Sequence, residues 1–185
     1  MDKKKIEKAI KMLLEAFGQD LNRKDIQDTP KRVSDMYEEI LSGQNKLPEQ
    51  ELDVVLEQKH DEIILLKNIA IQSICEHHLL PFIGKAHVAY IPDKRITGLS
   101  KIARVVDVLS KRLQVQERLT TDIADVIMKK LKPKGVMVIV EAEHLCMSMR
   151  GVKKPGTTTI TSVVRGVFRT NPKTRQETLS LISSS

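Results

Sequence analysis

Residues 62–91 read EIILLKNIAIQSICEHHLLPFIGKAHVAYI. The run 63–74 is rich in β-branched and other apolar residues, and so is 84–91, with Pro81 between them. Two such runs around a turn signal predict a hairpin, joined through CEHHLLPF. Pro92-Asp93 turns the chain again. Ser100 is expected to cap a helix carrying Ile102, Val105, Val106, Leu109 and Leu113 on one face. Leu119, Ile123, Val126, Ile127 and Leu131 mark a second helix, stopped by Pro133 and Gly135. The run 136–142 reads as a buried strand and 157–168 as another. A short terminal helix is expected over 173–182, with the last three serines fraying. Strands grouped in pairs predict an antiparallel four-stranded sheet with two helices on one face, an α+β layer. Such a sheet leaves two open edges, which invite pairing with another chain.

Upstream, Ile6, Ile10, Leu13, Leu14 and Phe17 fall on one helical face, and Gly18 is a stop. Asp28-Thr29-Pro30 is a start signal, a capping residue followed by Pro at the first helical position. Val33, Met36, Tyr37, Ile40 and Leu41 make the second apolar stripe, and Gly43 suits its C-terminal cap. The polar stretch 44–50 reads as a linker. The expected organisation is an N-terminal helical part, 1–45, followed by a larger catalytic part, 46–185. There is no internal repeat and no low-complexity segment.

The chain has 185 residues, 31 Lys plus Arg against 24 Asp plus Glu, and a net charge of +7. That length fits one domain with a small appendage. Hydrophobic content of 41% with 30% charged residues argues against disorder. No apolar run approaches the roughly 18 residues of a membrane helix, and the amphipathic N-terminus has no secretory h-region. With no Trp, 2 Tyr and 3 Phe, the chain has few rings on which to stack bases. The basic excess still permits phosphate binding, although a soluble basic surface explains it equally well. The expected setting is the cytoplasm, where two cysteines point to metal binding or catalysis rather than a disulfide.

Both cysteines stand beside histidines, in Cys75-Glu76-His77-His78 and His144-Leu145-Cys146. Together they offer more ligands than one zinc requires. Two unrelated strand ends with buried thiols would be the plainer explanation, but two paired clusters weigh against it. A closed site would use four protein ligands; a catalytic one would use three and leave a position for water. On a strand, His144 and Cys146 would point to the same face. Of the adjacent His77 and His78, one is expected to ligate and the other to stand near the metal for proton transfer. Spacing does not say which.

Three further clusters are weaker alone. Gln114-Val115-Gln116-Glu117-Arg118 could be a solvated polar turn. Gly98-Leu99-Ser100-Lys101, with Arg104 one turn on, is an anion-binding helix N-terminus or an ordinary capped helix. Met149-Arg150-Gly151-Val152-Lys153-Lys154 is a basic turn.

Taken together, in order and spacing, DTPKRV (28–33), SICEHH (73–78), GLSKIAR (98–104), SKRLQVQERLT (110–120), EHLCMSMRG (143–151) and TTTITS (157–162) resemble the GTP cyclohydrolase I family. The resemblance covers nearly the whole chain. It implies Zn²⁺ held by Cys75, His78 and Cys146, with water in the fourth position. It implies conversion of GTP and water to 7,8-dihydroneopterin triphosphate and formate, the entry to tetrahydrofolate and related pterins. Water adds at C8 of the guanine. The resemblance makes His144 the proton donor and acceptor at the purine nitrogens, His77 the group moving protons later, and Ser100 a participant in the sugar rearrangement. It implies that Glu117 accepts from the guanine N1–H and amino group, with Gln116 supporting the same pocket. Lys101, Arg104, Arg150 and Arg32 would meet the triphosphate, and Glu76 would orient the metal-bound groups. The implied fold is the tunnelling fold, preceded by N-terminal helices. Its sheets join edge to edge into pentameric rings stacked as a homodecamer with sites between subunits, so that Arg32 would serve a neighbour's site.

Three rivals are weaker. A zinc-stabilised nucleic-acid module would need a closed site and more aromatics, so no nucleic-acid partner is expected. A nucleobase deaminase would carry H-x-E with P-C-x-x-C, which is absent. An inactive relative would have lost part of the residue set, which is intact.

Overall fold

A computed structural model describes residues 1–52, 55–57 and 60–184. The chain divides into two compact units, Met1–Ser42 and Gly43–Ser185. In the first, α1 (Lys3–Ala16) and α2 (Thr29–Ile40) pack together. Asp2 caps α1 by accepting from the Lys5 N–H, and Gly18 leaves it with φ of +73°. Lys3 reaches across to Asp35 and Glu38 at 2.6 and 2.9 Å, and the Ser34 hydroxyl donates to the Lys3 carbonyl. The apolar stripe of α1 is not buried within this unit; Phe17 is 66% exposed. Pro30 stands in the first turn of α2, as its sequence position requires.

The second unit is built on a five-stranded sheet in the order β5-β2-β3-β6-β7. Its four long strands are β2 (Ile64–Cys75), β3 (Pro81–Ile91), β6 (Gly135–His144) and β7 (Thr158–Gly166), each antiparallel to the next. The fifth is the two-residue β5 (Leu113–Gln114), which lies parallel to the end of β2. Two residues carry no periodicity from which to expect a strand; Leu113 belongs to it and not to the preceding helix, which ends at Ser110. A separate two-stranded sheet pairs β1 (Val55–Glu57) with β4 (Arg95–Thr97).

Helices α3 (Leu99–Ser110) and α4 (Gln116–Leu131) cover one face. Alternation along β3 sends Phe82, Ala86, Val88 and Tyr90 toward them, where they pack with Ile102, Val105, Leu109, Leu119, Ile123 and Ile127. This is the expected α+β layer, a mostly antiparallel sheet with two helices on one face. The opposite face is not bare. β7 ends at Gly166, whose φ of +58° opens the turn into α6 (Val167–Thr170). Phe168 is fully buried there among Ala89, Ile91, Met137 and Ile139, with Ile182 of α7 (Pro172–Ser183) against the same cluster. Burying one such ring is worth about 1.5–3 kcal/mol, enough to order a segment whose own pattern reads as the end of a strand.

Two expectations are corrected by packing. Residues 44–50 are no free linker: Pro48–Leu52 forms a 3₁₀ turn with Pro48 and Leu52 buried against α3 and α4. Gly43 does not cap α2, which closes at Leu41. Its backbone instead approaches α3 so closely that a Cβ would lie 2.0 Å from the Val108 carbonyl oxygen. Among the described residues no helix is long and apolar enough to cross a membrane.

Candidate active site

The two Cys-His clusters converge at one end of the sheet. β2 ends at Cys75, and the chain turns back immediately: the Leu79 N–H donates to the Cys75 carbonyl, and the Cys75 N–H to the Leu80 carbonyl. Leu79 takes a left-handed φ of +54° to close this turn. The loop is fixed from outside as well, since the Glu76 N–H donates to the Gln114 carbonyl on β5. β6 runs antiparallel to β3, so its last residue, His144, lies beside Phe82 at the start of β3. Helix α5 (Leu145–Ser148) follows at once and carries Cys146. Cys146 therefore stands on a short helix, not on a continued strand, and the same-face expectation for His144 and Cys146 does not hold.

The ligand atoms of Cys75, His78 and Cys146 all lie within 4.8 Å of one another. Cys75 is buried, Cys146 half-buried and His78 exposed. The thiol of Cys75 is 4.0 Å from Nδ1 of His78. Burial and the neighbouring Cys75 push the Cys146 thiol above its usual range. Two thiols and an imidazole at this spacing fit a soft or borderline metal ion. His77 is not part of this group; its ring stands edge-on to that of His78 at 6.3 Å between centroids.

The surroundings are polar and specific. Arg150 Nη1 donates to Nε2 of His78 at 2.9 Å. Glu76 has its carboxylate taken up by Arg118, which also donates to Gln114 Oε1 at 2.8 Å. That guanidinium holds the Glu76 carboxyl below the usual range. His144 is stacked on Phe82, and its Nε2 lies 2.7 Å from Gln116 Oε1 on α4. Burial lowers the His144 pKa, and nearby Glu117 partly opposes this. Glu117 is exposed in the first turn of α4, and among the described residues its carboxylate forms no ion pair.

Ser100, Lys101 and Arg104 lie together on the first turns of α3. Gly98, not Ser100, is the N-cap residue; Ser100 is already inside the helix and exposed. Among the described residues no hydrogen bond or ion pair ties these three to the Cys-His-Cys group. Arg32 belongs to α2 in the N-terminal unit, 3.8 Å from Asp28. A cavity of about 510 Å³ lined by Pro48, Arg112, Asp125 and Lys129, among others, contains none of the candidate residues.

Three contributors are not singled out by the sequence. Phe82 could have been found by extending the hairpin register to the following strand. Glu143 accepts from the Ser148 hydroxyl at 2.6 Å and the Gly156 N–H at 3.0 Å, which fastens both ends of the basic turn carrying Arg150. Arg118 was visible only as one residue of a polar run.

Against known proteins, the family model for GTP cyclohydrolase I matches residues 6–183. The chain belongs to the GTP cyclohydrolase I family. It is 58% identical over 183 residues to the GTP cyclohydrolase 1 of Carboxydothermus hydrogenoformans, covering 98% of this chain and 95% of that one. The GTP cyclohydrolase 1 of Caldanaerobacter subterraneus subsp. tengcongensis is 58% identical over 185 residues, covering 100% and 98%. That of Listeria monocytogenes serovar 1/2a is 55% identical over 183 residues, covering 98% and 97%. Among solved structures, the apo form of an archaeosine synthase QueF-Like aligns with a TM-score of 0.47 and 17% identity over 58% of this chain and 97% of that one. GTP cyclohydrolase I family membership thus spans both units, including the stretch before residue 28 that carries no diagnostic motif.

Proposed function

We propose that this chain opens the imidazole ring of GTP hydrolytically at C8, releases formate and yields 7,8-dihydroneopterin triphosphate, the first step of tetrahydrofolate and pterin synthesis. The observation that carries this reading is the convergence of Cys75, His78 and Cys146, in a member of the GTP cyclohydrolase I family, at the end of the sheet where His144 lies.

Zn²⁺ is the metal this donor set suits: Cys75, His78 and Cys146 would hold it, and three protein ligands would leave room for water. When bound, zinc supplies Lewis acidity and makes water a nucleophile near neutral pH. His144 moves protons at the purine nitrogens as C8 is hydrated and the ring opens. His77, not needed as a ligand, is available for proton transfer in the later steps. Ser100 takes part in the rearrangement of the ribose. Glu117 accepts from the guanine N1–H and amino group, a pattern adenine does not offer. Arg150, Lys101 and Arg104 meet the triphosphate, with Arg32 supplied by a neighbouring subunit. Glu76, through Arg118, steadies the turn that carries His77 and His78. The assembly we propose is a homodecamer of two pentameric rings with sites between subunits, in the cytoplasm, with no nucleic-acid partner.

The test is incubation of zinc-loaded protein with GTP, followed by oxidation and measurement of pterin fluorescence. Pterin formed from GTP and not from ATP supports the reading. No pterin from a correctly assembled, zinc-loaded preparation overturns it.

A further inference from the structure

The amide of Gln116 is buried, and every polar atom on it is spoken for. Nε2 lies 3.0 Å from the Val140 carbonyl oxygen, 3.0 Å from that of Thr159 and 3.1 Å from Thr161 Oγ1. Carbonyl oxygens only accept, so the NH₂ group must face them. The hydroxyls agree. The Thr120 hydroxyl donates to the Gln116 carbonyl at 2.7 Å, so in its 2.6 Å contact with Thr161 it accepts. The Thr161 proton is used in that contact, and its oxygen is left to accept from Gln116. The loop of donors closes in one direction only. Oε1 of Gln116 is therefore fixed toward His144 Nε2, 2.7 Å away. An amide oxygen has no proton to give, so Nε2 of His144 carries one. In the neutral imidazole the other nitrogen, Nδ1, then holds the lone pair. Among the described residues Nδ1 has no hydrogen-bond partner. Stacking on Phe82 at 4.7 Å, with planes 11° apart, opposes a half-turn of the ring, which would put Cε1 where Nε2 meets Gln116.

We infer that Gln116 is a positioning residue that holds His144 as its Nε2–H tautomer and leaves Nδ1 as the atom that accepts a proton during the reaction. The inference rests on the reading of His144 as the group that moves protons on the purine. It reassigns Gln116: the sequence resemblance grouped it with Glu117 in the guanine pocket, whereas its side chain is spent on the sheet and on His144. A residue that binds the base and one that fixes a tautomer leave different marks. Loss of the first weakens substrate binding; loss of the second slows the chemical step.

Two readouts test this on the zinc-loaded protein. Solid-state ¹⁵N NMR of histidine-labelled protein, with the His144 ring assigned by comparison with His144→Asn, reports which nitrogen is protonated. The expected result is a proton on Nε2 and none on Nδ1. In Gln116→Met, the proton is expected to distribute over both nitrogens, with kcat lowered by about 100-fold and KM for GTP little changed. A proton found on Nδ1 in the parent overturns the inference. So does a Gln116→Met enzyme that keeps its kcat and loses affinity for GTP. The ring measurement on the parent needs neither a substitution nor turnover. It decides the tautomer even if Gln116→Met does not fold, and a parent that makes no pterin would strike the proposed reaction while leaving this result standing.

Discussion

Phe82 and His144 are direct cross-strand partners, and their rings lie flat on one another with centroids 4.7 Å apart. Phe82 is fully buried, so the histidine is mounted on the core and not on a loop. Orientation of the imidazole is thereby a property of the sheet register.

Phe82→Leu removes the stacked ring and leaves a partial cavity. A loss of about 1–3 kcal/mol in stability is expected from packing and lost aromatic contact. The urea midpoint should fall, kcat should drop, and metal content should stay at the parent's value. Loss of metal together with activity would mean that Phe82 supports the ligands instead of His144.

The three proposed ligands separate from their neighbours by metal content. Cys75→Ala, His78→Ala and Cys146→Ala should each lose the stoichiometric zinc of the parent after dialysis. His77→Ala and His144→Ala should retain it and lose turnover. Elemental analysis decides, and retention of full zinc by Cys146→Ala would contradict the assignment.

Base recognition is expected to rest on Glu117. Removing a carboxylate that pairs with the guanine edge costs on the order of a few kcal/mol. Glu117→Ala should raise KM for GTP by about 10-fold or more while zinc content is unchanged. A variant with the parent's KM would move guanine recognition elsewhere.

Histidine 87 gives the fold an acid-sensitive point away from the reaction. It is buried on the sheet face opposite α3 and α4, accepts weakly from the Asn68 N–H, and has Nε2 3.7 Å from Glu141. Burial lowers its pKa below 6.5; Glu141 opposes this, and Lys85 and Lys67 reinforce it. The unfolded chain therefore binds a proton that the folded chain refuses. Stability is full above the unfolded value and falls as pH drops below it, by at most about 1.4 kcal/mol per pH unit for one proton. Urea midpoints at pH 7 and pH 5.5 should differ, and His87→Gln should narrow the difference. His144, shifted the same way, keeps the remainder. An unchanged pH slope in His87→Gln would show that His87 takes up its proton as readily folded as unfolded.

Long, strongly patterned elements were legible in the sequence. The paired runs around CEHH, the two helices and the strand ending at His144 all stand where periodicity and turn residues put them. The meeting of the two Cys-His clusters was legible because those residue types are few and stood close together, whereas the choice of His78 over His77 came only from the family resemblance. What escaped depended on contacts between distant segments. β5 is too short to have a period. The 3₁₀ turn at Pro48 is polar in sequence and is held by Leu52 in the core. Cys146 sits on a helical turn of only four residues, too short for any apolar stripe. Gln116 read as part of a polar turn because its partners, Val140, Thr159 and Thr161, lie 24 to 45 residues away.

The reaction itself is tested most directly by following carbon 8. GTP labelled with ¹³C at C8, incubated with the zinc-loaded protein, should show its label move from the purine to formate by NMR, with one equivalent of pterin triphosphate formed per formate. Label that stays in an intact guanine ring, or phosphate released without formate, would contradict ring opening as the chemistry of this chain.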